Sequence, residues 1–181
     1  MKPDLTLLLA GFGGQGLLFA GKVTAYAGLL EGREISWLPS YGPEMRGGTC
    51  NCSVTVSDEP IGSPLILNPN ALIVMNLPSF DKFIAAPVPG AAVMVDSSMI
   101  DKRSDRTDID VHYVPATKLA QDNGIEGLAN MILLGKLMAV TGFTTMELMS
   151  EALKKCVSAK RPELYDKNML AVKLGVEYAE N

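Results

Sequence analysis

Hydrophobic and polar positions alternate between two periods along this chain. Residues 5–10 form an unbroken apolar run ending at a glycine, the pattern of a strand buried on both faces. Residues 15–30 follow with good helix formers and few breakers; Leu18, Val23 and Leu30 are placed to face a sheet, and Ala20 and Ala27 permit close approach. Gly32 then ends the helix and residues 33–38 read as a second strand, completing one βαβ unit. Residues 39–48 are a loop rich in glycine and proline, and residues 49–57 alternate small and β-branched side chains as a strand does. After a turn at Asp58-Glu59-Pro60, apolar runs at 71–75 and 91–96 predict two more buried strands, with a short helix over 78–86 between them. Residues 97–110 are polar and predict an exposed excursion, and 111–114 a late edge strand. From there the pattern is helical, over about 117–123, 128–141, 145–157 and 163–179. Strands alternating with helices predict an α/β fold: a Rossmann-like, open, mostly parallel sheet with flanking helices and a helical C-terminal tail. There is no internal repeat, and 181 residues fit one domain over 1–181.

Composition narrows the function classes. The apolar fraction of 48% against 20% charged is that of a globular chain. A net charge of −4, with no long basic run, argues against a nucleic-acid binder. The run at 5–10 is far shorter than the ~20 residues of a membrane span and lacks a signal-peptide cleavage site. Together with only three cysteines, this places the chain in the cytoplasm as an expectation. Ten methionines against 6% aromatics point first to gap-filling in the core and second to an adaptable contact surface.

The densest chemistry lies at Gly11-Phe12-Gly13-Gly14-Gln15-Gly16. Gly11, Gly13 and Gly16 have the spacing of a dinucleotide fingerprint and stand between a strand and a helix, the context that gives the pattern meaning. In such a turn the first glycine allows the bend, the second lets an anion approach the backbone, and the third lets helix pack on strand. Gly14 widens the conformational options, and Gln15 is placed to hydrogen-bond a ligand or a facing loop. The plainer reading is that the glycines serve packing alone. A classical NAD site also requires an acid at the end of the second strand. Here that strand ends in Leu38-Pro39-Ser40, with Glu31 and Glu34 before it or at its start, which disfavours an ordinary dehydrogenase. A second unusual segment follows at once: Tyr41-Gly42-Pro43-Glu44-Met45-Arg46-Gly47-Gly48. It leaves the same carboxyl edge of the sheet, where Arg46 could present its guanidinium to a carboxylate or phosphate, or simply pair with Glu44.

The glycine loop and the Tyr41–Gly48 segment, together with Val56-Ser57-Asp58 before Pro60-Ile61, Val114-Pro115-Ala116-Thr117 and Asn130-Met131-Ile132-Leu133-Leu134-Gly135, resemble the gamma subunit of 2-oxoacid:ferredoxin (acceptor) oxidoreductases. The resemblance spans nearly the whole chain in order. It implies an accessory subunit of a thiamine-diphosphate enzyme, such as one acting on pyruvate, 2-oxoglutarate or 2-ketoisovalerate. That enzyme converts a 2-oxoacid and CoA to acyl-CoA, CO2 and reduced ferredoxin or another acceptor. It further implies alpha and beta, and in some complexes ferredoxin-like delta, subunits as partners. Thiamine diphosphate, magnesium and iron–sulfur clusters are expected on those partners, and CoA is a molecule this chain can contact. No catalytic residue is assigned; Gly11, Gly13, Gly14, Gln15, Gly16 and Arg46 are expected at a shared cleft or subunit interface. The alternatives are a free-standing Rossmann-type dehydrogenase, a non-catalytic nucleotide-sensing module, and the beta subunit of an indolepyruvate oxidoreductase, which shares this module.

The remaining candidates weigh less. A conventional iron–sulfur cluster needs about four cysteine ligands, and the chain has Cys50, Cys52 and Cys156. Nor is there a Gly-Asp-Gly stretch with a following Asn, as a thiamine-diphosphate magnesium site requires. Cys50 and Cys52 fall on one face of a strand and read as small buried residues rather than zinc ligands with His112, the only histidine. His112 reads as a polar residue on a late strand, and Asp96, at a strand's carboxyl end, as either functional or a turn and cap residue before Ser97-Ser98. The segment 130–139 is apolar nearly all round, so it is buried in the domain or partly covered by a partner.

Overall fold

The computed structural model describes residues 2–40 and 49–179. Its centre is a six-stranded sheet: β1 (Leu5–Phe12), β2 (Glu34–Ser40), β3 (Thr49–Ser57), β4 (Ala71–Val74), β5 (Ala92–Asp96) and β6 (Asp110–Val114), in the order β2-β3-β1-β4-β5-β6. The helices are α1 (Leu17–Leu30), α2 (Leu77–Phe83), α3 (Ala116–Asp122), α4 (Ala129–Thr141), α5 (Met146–Cys156) and α6 (Pro162–Glu177). The α/β class, the mostly parallel sheet and the helical tail are as expected.

One expectation is corrected. β1-α1-β2 is not a unit of neighbouring parallel strands, because β3 lies between β1 and β2 and runs antiparallel to both. The physical reason is connection length. Eight residues join β2 to β3, enough for an antiparallel return and too few for a parallel crossover, which takes a dozen or more. The alternating pattern of β3 suits this slot: Cys50, Cys52, Val54 and Val56 are buried on one face, while Asn51 and Ser53 point to the other. β1 and β2 still run in the same direction, so both end at the same edge of the sheet, with Phe12 opposite Thr49 and Ser40 opposite Asn51.

The stripe of α1 that meets the sheet is as expected at Ala20, Val23 and Ala27 and differs at the leucines. Leu30 is 39% exposed and Leu18 only half-buried, whereas Leu17, Ala20, Gly21, Thr24, Ala27 and Gly28 are buried, with Val23 beside them. Small residues win because the helix lies very close: a Cβ at Gly21 would stand 2.6 Å from Cys52 Sγ, and one at Gly28 2.6 Å from Val56. Gly32, at φ 78°, ends the helix as expected, its N–H bonding to the Leu29 carbonyl.

α4 is buried over nearly its whole length, between the sheet and α6, so the apolar 130–139 segment is covered within the domain. α4 and α6 touch backbone to backbone: a side chain at Gly135 would collide with the Val172 carbonyl, and one at Gly175 with the Ile132 carbonyl. On the other face of the sheet a smaller core gathers Leu8, Leu72, Val74, Phe80, Val93 and Ile100. Ile100, at 2% exposure, is a correction to the expectation that 97–110 is wholly exposed: the apolar gap beyond β5 needs filling.

Candidate functional site

The glycine loop leaves β1 at the carboxyl edge and turns into α1, as expected, but the glycines divide the work differently. Gly11 is still strand, and it is a glycine for room: a Cβ there would strike the Gln15 amide and lie 3.2 Å from Met75 Cβ. The left-handed residues are Gly14 (φ 94°) and Gly16 (φ 74°), which make the bend that was expected of Gly11. Gly16 caps α1, and what it makes room for is not a strand but the side chain of Asn130 on α4, 2.6 Å from where its Cβ would stand. Gly13 and Gly14 are exposed.

Gln15 is the clamp of the loop. Its Oε1 accepts from the Phe12 N–H at 2.6 Å, and its Nε2 donates to the Met75 carbonyl at 3.0 Å. The side chain therefore ties the ends of β1 and β4 together, the facing-loop role rather than the free ligand donor. Asn130, 2% exposed, donates from Nδ2 to the Gly16 carbonyl at 2.9 Å and keeps a buried Oδ1 with no hydrogen-bond partner. Beside the loop lies a small cleft of about 160 Å³, lined by Gly14, Gln15, Met75, Thr117, Gln121 and Glu126 among others. The first-turn amides of α1 lack intrahelical acceptors, so the loop's N–H groups offer donor capacity to whatever approaches.

Asp96 is fully buried and structural. Its Oδ1 accepts from the N–H groups of Ser98 (3.1 Å) and Thr117 (3.3 Å), and its Oδ2 from the Thr117 hydroxyl at 2.6 Å, joining β5 to the start of α3. His112 sits on the edge strand β6 and pairs with Asp110 at 2.9 Å, far in the fold order from the glycine loop. Arg46 lies outside the described residues, as does the rest of Tyr41–Gly48. Asn130 and Thr117 were named in the sequence only as parts of longer segments; nothing in a single asparagine opening an apolar helix marks it as a partner of a glycine 114 residues away.

The cysteines do not fit an iron–sulfur cluster. Cys50 and Cys52 are buried under α1, and Cys52 Sγ accepts the Trp37 indole N–H at 3.1 Å. Burial pushes the thiol of Cys52 up to about 11, against the opposing pull of that hydrogen bond, and raises Cys50 and Cys156 too, whereas a cluster ligand must be thiolate. Among the described residues no group of three or more His, Cys, Asp or Glu could hold a metal ion. Among them, too, no helix is long and apolar enough to cross a membrane.

The geometry departs from a dinucleotide crevice in one decisive way. In that arrangement the ribose acid ends the strand next to β1. Here the same-direction strand β2 is one strand removed and its end, Leu38-Pro39-Ser40, carries no carboxylate.

Comparison with known proteins gives a consistent answer. A family model described as pyruvate ferredoxin/flavodoxin oxidoreductase matches residues 6–178. The ketoisovalerate oxidoreductase subunit VorA of Methanothermobacter thermautotrophicus is 37% identical over 179 residues, which are 98% of this chain but 37% of that protein. The 2-oxoglutarate synthase subunit KorC of Methanocaldococcus jannaschii is 33% identical over 183 residues, covering 99% of this chain and 96% of its own length. The solved structure of a keto/oxoacid ferredoxin oxidoreductase gamma subunit from Geobacter sulfurreducens superposes with a TM-score of 0.81 at 27% identity, over 96% of each chain. The chain thus spans little more than a third of the length of the VorA relative and nearly all of the KorC one.

Proposed function

Because the chain belongs to the pyruvate ferredoxin/flavodoxin oxidoreductase family, we propose that it acts as the gamma-type subunit of a 2-oxoacid:acceptor oxidoreductase. All of residues 1–181 serve as one domain in that role. The observation that carries this reading is the match over 99% of this chain and 96% of a relative that is itself a subunit of 2-oxoglutarate synthase. The fold supports it: the glycine loop is clamped in place by Gln15 and Asn130 and offers backbone, not acids or nucleophiles, at the sheet edge.

In this reading the reaction consumes a 2-oxoacid and CoA and yields acyl-CoA, CO2 and two electrons for ferredoxin or a similar acceptor. Thiamine diphosphate with magnesium and iron–sulfur clusters, held by partner subunits, would supply the carbanion and electron-transfer chemistry when bound. This chain's contribution is positional. Gly13 and Gly14 let a neighbouring surface come close, Gln15 holds the loop's shape, and Arg46, in the segment that follows β2, supplies a cation for a carboxylate or for a CoA phosphate.

The test is reconstitution. The isolated chain has no turnover; assembled with its partner subunits, thiamine diphosphate, a 2-oxoacid, CoA and an acceptor, it supports acyl-CoA formation. Partner subunits that are fully active without this chain would remove the proposal's content. Within the complex, Arg46→Ala lowers turnover or CoA affinity while the fold stays intact; unchanged kinetics would assign Arg46 to a local pair with Glu44.

A further inference from the structure

The carboxyl ends of β1 and β4 part where the fold changes sides. α1 follows β1 and packs into the larger core, while α2 follows β4 and sends Phe80 into the smaller core on the opposite face. Helices that leave neighbouring parallel strands towards opposite faces open a crevice between the strand ends, where open α/β sheets take their ligands. The β1–β4 ladder runs from Leu7 opposite Ala71 to Ala10 opposite Val74, and beyond it the Met75 N–H donates to the Ala10 carbonyl at 3.0 Å. In a parallel ladder of this register the next rung runs from the Phe12 N–H to the Met75 carbonyl. That rung is replaced. The Phe12 N–H donates to Gln15 Oε1 at 2.6 Å, and the Met75 carbonyl accepts from Gln15 Nε2 at 3.0 Å. One side-chain carboxamide thus stands between the two groups that a continuing ladder would join directly. Gly11 is fitted to the same arrangement. A Cβ there would strike the Gln15 amide, and its φ is not left-handed, so this glycine serves space rather than backbone conformation.

We infer that Gln15 sets the width of this crevice: its carboxamide is a surrogate rung that holds the ends of β1 and β4 one amide apart, and without it the ladder closes by one further rung. The chemistry of the side chain suits the place. A carboxamide offers one acceptor and one donor from a single plane, matching one backbone N–H and one backbone C=O. A carboxylate would accept from Phe12 but have no proton for Met75. An apolar chain of the same length would keep the strands apart and leave both backbone groups unpaired. A side chain too short to reach leaves nothing between them, and the N–H and C=O then pair with each other. Gln15 and Met75 both line the cleft of about 160 Å³ beside Gly14. Closing the rung draws Phe12 towards β4, carries Gly13 and Gly14 with it, and narrows that cleft. Gln15 is therefore a positioning residue, acting through the loop it spaces. Its consequence for turnover rests on the functional reading above; its consequence for the ladder does not.

Amide hydrogen exchange of the isotope-labelled full chain, read residue by residue by NMR, tests this with two variants of opposite expectation. In Gln15→Ala the Phe12 N–H passes to the Met75 carbonyl and stays as protected as in the wild type. In Gln15→Met the side chain still fills the gap but cannot accept, and Phe12 exchange accelerates at least about tenfold. Fast exchange in both variants would make Gln15 an ordinary clamp, and unchanged exchange in both would mean that another group protects Phe12; either result overturns the surrogate rung. Should Gln15→Ala fail to fold, the wild-type chain decides. A through-hydrogen-bond coupling from the Phe12 nitrogen to the Gln15 side-chain carbonyl carbon is expected, and a coupling to the Met75 carbonyl carbon in its place would overturn the inference. In the assembled enzyme Gln15→Ala lowers kcat/KM by about tenfold or more with assembly intact. Unchanged kinetics beside a closed rung would overturn the positioning role. No turnover on reconstituting the wild type would remove the functional reading and leave the exchange result, and the rung, standing.

Discussion

The Asn130 side chain donates a 2.9 Å hydrogen bond to the carbonyl of Gly16, joining the first turn of α4 to the cap of α1. The bond fixes the exit of the glycine loop from the far side of the core, and it explains why position 16 has no side chain. Gly16→Ala meets two costs, a left-handed φ of 74° and a collision with Asn130. It should destabilise the chain by about 2–4 kcal/mol. Asn130→Ala alone should cost about 1–2 kcal/mol through the lost bond. The double variant should cost less than the sum, because the collision is gone while the backbone strain remains. Urea unfolding of the four proteins measures the coupling; strict additivity would refute the contact.

Gly175 gives a sharper steric case. A methyl there would enter the backbone of α4 at Ile132 and Lys136, neither of which is a flexible side chain. Gly175→Ala should therefore cost about 3 kcal/mol or more, although alanine is the better helix former. Gly62→Ala, with open space around it, should change stability by less than about 0.5 kcal/mol. Paired thermal melts distinguish the two.

Arg33 is a buried guanidinium between Asp4 and Asp58, each at 2.7 Å, with the Pro3 carbonyl as a third acceptor. It ties the strand that begins the chain to the turn after β3. Its carboxylate partners are partly exposed, so Arg33→Ala should cost about 2 kcal/mol, above a surface pair and below a fully buried one. Arg33→Lys should recover little, since one ammonium cannot span both acids. Chemical denaturation at low and high salt checks both statements.

The thiol of Cys52 makes a pH prediction. Burial holds it near 11 in the folded chain, where the ordinary value is 9.0. Below 9.0 the thiol is neutral folded or unfolded, and pH has no effect through it. Between 9.0 and about 11 the unfolded chain releases the proton first, so stability falls as pH rises. Cys52→Ala removes that part of the slope. At pH 8 the native thiols should react with a disulfide reagent far more slowly than after unfolding; equal rates would contradict the burial. Trp37, the only tryptophan, donates to Cys52 Sγ and should brighten when the thiol is removed.

The elements themselves were readable from the chain because their cause is local. Apolar runs bounded by glycine and proline made β1, β4 and β5 recognisable, and the helix over 128–141 falls on α4 almost residue for residue. The glycine loop was recognisable for the same reason: a strand, a turn and a helix are neighbours in sequence. The order of strands was not, because the hydrogen bonds that insert β3 between β1 and β2 depend on pairing partners tens of residues apart. The buried stripe of α1 was legible at Ala20, Val23 and Ala27 but not at its leucines: Gly21 and Gly28 take the places nearest the sheet, and Leu18 and Leu30 stay partly exposed, because of how close the sheet lies. The functional edge divides the same way. Local sequence placed Gly11, Gly13, Gly14, Gln15 and Gly16 in a turn. Only the packed chain decided that Gln15 reaches the end of β4 and that Asn130 holds Gly16, because each depends on contacts that exist only once distant segments have folded together.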